Sequence, residues 1–481
     1  MLRHKVRDFK MHLAVSLDDL VPADHFYRRL DAALDLSFVR ELVKSRYAST
    51  MGRPSIDPVV FFKLHLIMFF EGIRSERQLM ATVHLNLAHR WYIGYDLDEP
   101  VPDHSSLSKI RDRYGVEVFQ QFFEAIVERC IQAGLVWGQE LYFDGTKGQA
   151  NAALTAMVPR WYREAQEHLT ALFPPEETAK SLSVFQKLMD KYDGSRLNQR
   201  RSSTYQRTTD QKVSLVDPDA TPMKRFTGDK AVLGYHTHYI VDGGRARIIL
   251  AALVTPASVM DNTPMLDLVR WVRFRWQLMP QVAVGDTRYG TIPNLVGLEQ
   301  DGLRAYLPLP DLTERSTYYS SDRFTYLSEK DVYLCPQGAE LTLRVQRKRE
   351  QDLCYRAKAQ VCQLCPVKAA CTPSKGGRSI FRSVFQPYIE RVKAYATTPA
   401  YQKAMRKRQV WVEPLFGEVK QWHQGRRFRL RGLEKANMEG LLKATGQNIK
   451  RLLKARRGFK RTSPAGGVIL QMPPFFAIFL G

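Results

Sequence analysis

Two short, wholly apolar runs, Leu141-Tyr142-Phe143 and Val282-Ala283-Val284, lead into Asp144 and, after Gly285, Asp286. Runs of this length bounded by turn residues read as buried strands rather than helices. Upstream the pattern is different. Residues 58–71 are apolar nearly all round, which predicts a buried helix. Ser75 with Gln78 forms a capping box ahead of Leu79, Val83 and Leu87 at helical spacing. Pro102-Asp103-His104 punctuates the chain. Ser105 or Ser106 then caps a short helix ending at Gly115, and Phe119, Phe122, Phe123, Ile126 and Val127 mark another that stops at Gly134. The hydrophobic period thus changes near residue 140, so the chain combines a helical part with a strand-containing part.

Past that change the order of elements is specific. A strand over 140–143 runs into Asp144-Gly145. Residues 146–230 are polar and charged, with helical pieces and no clear strand. Runs 235–241 and 247–254, joined by Asp242-Gly243-Gly244, signal a hairpin. A helix over 263–276, a strand over 281–285 ending on Asp286, a helix over 292–300 and a strand over 303–307 follow. Residues 309–390 break the rhythm with five of the six cysteines and few apolar runs, and read as an inserted subdomain. Helical periodicity resumes near Tyr401, through Val412, Leu415, Phe416, Val419 and Trp422, then through Leu441, Leu442, Thr445, Ile449 and Leu452. With 481 residues the chain is long enough for about three domains. The boundaries expected are a helical region at 1–135, a core first part at 136–308 including the charged segment 146–230, an insert at 309–395, a core completion at 396–456, and a loosely attached tail at 457–481.

Lys plus Arg is 72 against 49 Asp plus Glu, a formal net charge of +23. Such an excess points to a polyanionic partner through phosphate contacts and counterion release. Residues 1–20 show no secretory signal. The longest apolar stretches, 58–70 and 468–480, are shorter than the roughly 20 residues that span a bilayer. A cytosolic protein with no membrane partner and with reduced or metal-bound cysteines is expected.

Three acids stand where a metal could use them: Asp144 and Asp286 at strand ends, and Glu413 at the start of a helix with Pro414 in its first turn. Lys420 returns to the face of Glu413. Phosphodiester chemistry uses divalent metals to activate the attacking oxygen and stabilise the leaving one. Hard Mg²⁺, or Mn²⁺, prefers such carboxylate oxygens. Taken singly, Asp144-Gly145 could form a turn, Asp286 a helix cap and Glu413 a solvated helix face. The order strand-acid, hairpin, helix, strand-acid, helix, strand, insert, helix-acid raises them together. Asp242 in the hairpin turn and Asp261 as a helix cap are read as structural.

Several segments carry a family resemblance. They are Gly52-Arg53-Pro54, Gly72-Ile73-Arg74-Ser75-Glu76-Arg77-Gln78-Leu79 and Pro102-Asp103-His104-Ser105-Ser106-Leu107. In the second half they are Phe143-Asp144-Gly145-Thr146-Lys147 with Ala150-Asn151-Ala152, and Gly285-Asp286-Thr287-Arg288-Tyr289-Gly290. The last is Val412-Glu413-Pro414-Leu415-Phe416-Gly417-Glu418-Val419-Lys420 with Arg426-Arg427-Phe428-Arg429-Leu430-Arg431-Gly432. Together, over about residues 20–455, the chain resembles bacterial insertion-sequence transposases of the DDE type. The resemblance implies a mixed α+β and α/β fold: a helical N-terminal domain, then a ribonuclease-H-like mixed sheet core flanked by helices and interrupted by a small inserted subdomain. It implies that Asp144, Asp286 and Glu413 are the catalytic, Mg²⁺-holding acids and that Lys420 contacts DNA. Some relatives carry an Arg four residues before the glutamate. Here that position is Gln409, with Arg408 beside it.

Lys403, Arg406, Lys407 and Arg408 precede Glu413, and Lys420, Arg426, Arg427, Arg429 and Arg431 follow it with Trp422 and Phe428 interleaved. Such a cluster suits a DNA backbone, positioning it without reading sequence. Base reading is expected from the N-terminal region. There the helices at 75–88 and 105–114 are either a helix-turn-helix-like pair or part of a plain bundle, and Arg53 either enters a minor groove or sits in a simple turn. Cys335, Cys362, Cys365 and Cys371, with a Cys-x-x-Cys step and Cys354 as a spare, suit a structural Zn²⁺ or form a set of free thiols. Cys130 belongs to the core, and His236 and His238 are structural residues of one strand face.

The function implied is metal-dependent cleavage of double-stranded DNA at the element's ends and transfer of the freed strand into target DNA. The resemblance alone supplies the joining step and a homo-oligomer on paired ends, in a bacterial, nucleoid-associated setting. A nuclease that cuts without joining and an inactive DNA-binding regulator are the other readings.

Overall fold

The computed structural model describes residues 16–48, 55–160, 162–164, 212–224, 228–310, 317–348 and 350–462. The chain divides into two compact units, Met1–Leu135 with Leu442–Gly481, and Val136–Leu441. The expected stretch 396–456 is therefore shared, because the long helix Leu433–Thr462 runs out of one unit into the other. No helix among the described residues is long and apolar enough to cross a membrane.

The first unit is helical. Its centre is the Pro58–Phe70 helix, capped by Asp57 and buried on all sides through Phe61, Phe62, Leu64, Leu66 and Ile67. Phe62 stacks on Phe122 and Phe61 meets Tyr114 edge-on. Ser75 caps the Glu76–Leu85 helix by accepting from the Gln78 N–H. The periodicity over 75–88 spans two helices, because Asn86 ends the first and caps Leu87–Ile93. The segments on either side of Gly115 are joined as His104–Gln132, kinked where Gly115 takes a φ of 68°. Asp103, rather than a serine, caps it. A helix thus intervenes between the two proposed as a helix-turn-helix pair. Arg111 of the later one is buried against Glu76 of the earlier, as in a packed bundle.

The second unit is built on a six-stranded mixed sheet. Its strands are β1 (Glu140–Gln149), β4 (Thr221–Met223), β5 (Val232–Asp242), β6 (Ile249–Pro256), β7 (Val282–Val284) and β8 (Arg304–Tyr306). β2 (Met157–Pro159) and β3 (Lys212–Ser214) form a separate pair. The segment 146–230 thus contains short strands in its described part, and its residues 165–211 lie outside the described ones. β5 pairs antiparallel with β1 on one side and with β6 and β4 on the other. β7 runs parallel to β1, and β8 parallel to β7. Asp242 closes the β5–β6 turn by accepting from the N–H groups of Trp137, Gly138 and Gly244. The helices Met265–Trp276 and Ile292–Gln300 make the crossovers on either side of β7.

Residues 317–385 leave this sheet and form a second, antiparallel one. It comprises β9 (Thr325–Leu327), β10 (Val332–Leu334), β11 (Glu340–Arg347), β12 (Asp352–Ala357) and β13 (Ser379–Ser383), adjacent in the order β13-β12-β11-β10-β9. The chain returns to the main sheet earlier than periodicity suggests, with the Gln386–Ala396 helix. Arg391 and Tyr395 of that helix both bind Glu299, and Tyr395 packs on Tyr306 of β8. The Pro399–Trp411 and Glu413–Trp422 helices follow.

Candidate functional site

Asp144 and Asp286 sit at matching levels of neighbouring strands. The last paired rung of β1 and β7 is Tyr142 with Val284, and each aspartate lies two residues beyond it. Asp144 is not at the end of its strand. β1 continues to Gln149 because Asp144 through Gln149 pair with Tyr239 through Gly234 of β5. Gly145 serves close packing rather than a turn. A Cβ there would meet the Tyr289 hydroxyl at 3.1 Å and His238 Nδ1 at 3.2 Å. Asp286 caps the turn Thr287–Tyr289, its Oδ1 accepting from the Arg288 N–H at 2.8 Å.

Glu413 reaches the same place on its helix. Val412, Leu415 and Phe416 of that segment are buried. Phe416 stacks on Tyr239, the cross-strand partner of Asp144, with ring centres 4.6 Å apart. The preceding helix is held in its last turns by Lys407, whose Nζ lies 2.6 Å from Glu140 Oε2 and over the rings of Trp137, Tyr142 and Trp411. Trp411 donates to Gly244 O, and Arg247 to Val410 O.

One residue ties the acids together. Arg408 donates to Asp144 Oδ2 at 3.5 Å and to Glu413 Oε1 at 3.2 Å. Burial pushes the Asp144 carboxyl up to about 6, and the charges of Asp286 and Glu413 add to that rise. The Gly145 N–H and Arg408 oppose it without cancelling it. The site is thus a concentration of negative charge, one member of which resists ionisation, with a guanidinium as its present counter-charge. Tyr289 beside it is kept protonated by burial first and by the charge of Asp144 next.

A supporting network lies alongside. His236 Nδ1 is 2.6 Å from Asp261 Oδ1, and Arg288 Nη1 is 3.0 Å from Asp261 Oδ2. Burial pushes Asp261 up, but His236 and Arg288 outweigh it and bring the carboxyl to about 2. Burial and the neighbouring His236 hold His238 down, at about 4, while its Nε2 faces Thr255 Oγ1. Asp261 therefore does not cap the following helix, whose N-cap is Pro264 with no side-chain bond. It anchors the Asp286 turn to β5 through Arg288. Sequence reasoning overlooks this role, although the alternating His236 and His238 and the Asp-Thr-Arg-Tyr step are its visible traces.

The basic residues separate into two sorts. Lys407 and Arg408 are turned inward onto acids. The 426–431 segment is stitched to the end of β1. Arg426 O accepts from Gln149 N, Phe428 N donates to Gln149 O, and the Phe428 ring is buried edge-on to Tyr235. Arg427 donates to Asn151 Oδ1 and Arg431 Nε to Asn151 O. The Arg429 backbone is held by Glu439, and burial lowers the affinity of its guanidinium for the proton, partly offset by Glu439. Arg426 and Arg431 remain exposed, as do Lys403, Arg406 and Trp422, while Lys420, Arg427 and Arg429 are half-buried. Arg53 lies outside the described residues. Cys335, Cys362, Cys365 and Cys371 lie in the insert, not with the carboxylates, and Cys130 is buried in the helical unit.

Comparison with known proteins adds a likeness of sequence. Residues 15–113 match a family described as a transposase domain (DUF772), and residues 334–453, which include Glu413, match one described as a transposase DDE domain. No curated protein matches. Among solved structures, the piggyBac transposase synaptic complex with hairpin DNA, seen by cryo-electron microscopy, is similar at 10% identity and a TM-score of 0.35. The match covers 90% of this chain and 74% of that one.

Proposed function

We propose that the chain is a transposase of the DDE type, whose second unit cuts DNA at the ends of a mobile element and joins the freed strand to target DNA. The observation that carries the reading is the meeting of Asp144 and Glu413 on Arg408, with Asp286 close enough to raise Asp144. The antiparallel β1, β5 and β6 followed by the parallel β7 and β8, with acids on β1, just after β7 and on a late helix, support a ribonuclease-H-like core.

Among the described residues no three His, Cys, Asp or Glu side chains are arranged to hold an ion. The chemistry nevertheless suits a hard one. The donors are all carboxylates, and burial together with the charges of Asp286 and Glu413 opposes ionisation of the least exposed of them, Asp144, an opposition that a divalent cation would relieve. Asp144, Asp286 and Glu413 would hold Mg²⁺ or Mn²⁺. The ion would supply Lewis acidity to the attacking and leaving oxygens of a phosphodiester.

The chain's own residues supply the rest. Asp144 must lose its proton to serve as a ligand, which sets an acid limit near its titration. Arg408 is a planar, permanently charged donor suited to a phosphate once carboxylates no longer occupy it. The exposed Arg406, Arg426 and Arg431, with half-buried Lys420, support the duplex backbone on both sides of Glu413. Double-stranded DNA is the proposed partner, with the protein working as a homo-oligomer on paired ends.

The test supplies a pre-nicked duplex end and a target duplex with Mg²⁺. Joined product that disappears in Asp286→Asn supports the reading. Cleavage of intact ends without joining would reduce the protein to a nuclease. Cleavage unaffected by Asp286→Asn would mean the site is misassigned.

A further inference from the structure

We propose that Cys335, Cys362, Cys365 and Cys371 are the ligands of a structural zinc ion that staples the inserted subdomain. This reading stands independently of the carboxylate site.

The backbone around the first ligand is already shaped for a metal-bound sulfur. Cys335 follows β10 in a tight turn. Its N–H donates to Ala339 O at 2.9 Å, and the Gly338 N–H donates to Cys335 O at 2.8 Å. Gly338 takes a φ of 77°, which a side chain would disfavour. The Ala339 N–H then donates to Cys335 Sγ at 3.3 Å. The turn thus directs a backbone donor at the sulfur that the metal would hold. A thiol that only fills space needs no such turn.

The other three arrive from two short helices. Cys362 lies in the helix Ala359–Gln363, and Cys365 follows it, its N–H donating to Cys362 O at 3.3 Å. Cys371 ends the helix Lys368–Cys371. Cys335, Cys362 and Cys371 all pack on one core, made of Phe324, Tyr333, Leu341, Tyr355, Ala357 and Ile380. Cys371 lies within electrostatic reach of Cys362, Cys335 and Cys365. Cys354 is a different case. It is buried within β12 between Val345 and Phe381 on the neighbouring strands, and is no ligand.

Size supplies the need. The core of the insert is small, and domains of this scale usually carry a disulfide or a metal. Every cysteine among the described residues is free. Among the described residues no three of these side chains stand at metal-holding distances of one another, so binding would draw the sulfurs together. Four thiolates close on one another only when a cation offsets their charge, and the Cys-x-x-Cys step with two further sulfurs suits tetrahedral Zn²⁺.

The full chain, purified without chelator, is assayed for metal content and titrated with Co²⁺ after stripping. About one zinc per chain and a thiolate-to-cobalt absorption band are expected. Cys362→Ser and Cys365→Ser should each lower zinc content at least about tenfold, whereas Cys354→Ala and Asp144→Asn retain it. If a serine variant fails to fold, the Co²⁺ titration of the unaltered chain decides alone. Protein that is isolated without zinc and gives no thiolate band with Co²⁺ overturns the proposal, as does zinc retained by folded Cys362→Ser and Cys365→Ser.

Discussion

Replacing Asp144 by Asn should make the metal-free protein more stable, and only above a certain pH. Asp144 titrates at about 6 in the folded chain against an ordinary 3.8, because burial and two neighbouring carboxylates oppose its ionisation. A folded-state value above the unfolded one means that the fold holds the proton more tightly than the unfolded chain does. The resulting stabilisation is complete below the unfolded value and is lost as pH rises through the folded one. Above pH 6 the ionised carboxylate costs the fold about 3 kcal/mol, from roughly two pH units at 1.36 kcal/mol each. Asn cannot ionise and avoids that cost. Thermal melts of metal-free protein should place Asp144→Asn above the unaltered chain at pH 8 by about 6–12 °C, given roughly 2–4 °C per kcal/mol for a unit of this size. At pH 4 the two should coincide. Mg²⁺ at about a hundred times its dissociation constant should raise the unaltered chain by about 2.7 kcal/mol and leave the variant unmoved, nearly closing the gap. A variant that melts no higher at pH 8, or a gap that ignores pH, would refute the electrostatic account of the site.

Other perturbations probe its surroundings. Arg408→Ala leaves Asp144 and Glu413 facing each other without a counter-charge. It should destabilise the metal-free protein by about 2 kcal/mol in urea melts at pH 8, less than the 3–5 of a fully buried pair because Glu413 is half exposed. Lys407→Met removes the Glu140 pair from a ring of aromatics and should lower stability by about 1–3 kcal/mol while leaving the salt dependence of DNA binding untouched. Arg426→Ala should do the reverse, reducing the slope of log affinity against log salt by about 0.9 for one lost phosphate contact, as measured by fluorescence anisotropy. Gly145→Ala pushes a methyl against Tyr289 and His238 and should cost about 1–3 kcal/mol, with cleavage falling alongside the melting temperature.

Much of the site's framework is legible from residue order. Apolar runs ending near acids identify the strands that carry Asp144 and Asp286, and Pro414 marks the helix of Glu413. What escapes is whatever depends on distant partners. Asp144-Gly145 resembles a strand end because Asp-Gly is a turn pair. The strand continues because β5 supplies partners as far as Gln149, and because Gly145 leaves space for Tyr289. Lys407 and Arg406 are alike in sequence. Only the arrival of Trp137, Tyr142 and Glu140 makes one an internal pin and leaves the other in water. The basic run at 426–431 looks uniformly exposed, yet Phe428 draws it onto β1 and half buries two of its arginines. Asp261 precedes a helix and so resembles a cap, whereas His236 and Arg288 claim its oxygens.

Chain order around Arg408 has a consequence for synthesis. Asp144 and Asp286 emerge from the ribosome well before the insert, but Glu413 and the arginine that neutralises the acids come after it. A chain stopped within the insert would carry two of the acids but neither the third nor Leu442–Gly481, which belongs to the helical unit. It would also lack Arg406, Lys420, Arg426 and Arg431, the basic residues proposed to support a duplex. Prematurely ended copies would then be inert rather than competing, because the late segment supplies the third acid, the basic face and the closing part of the helical unit together.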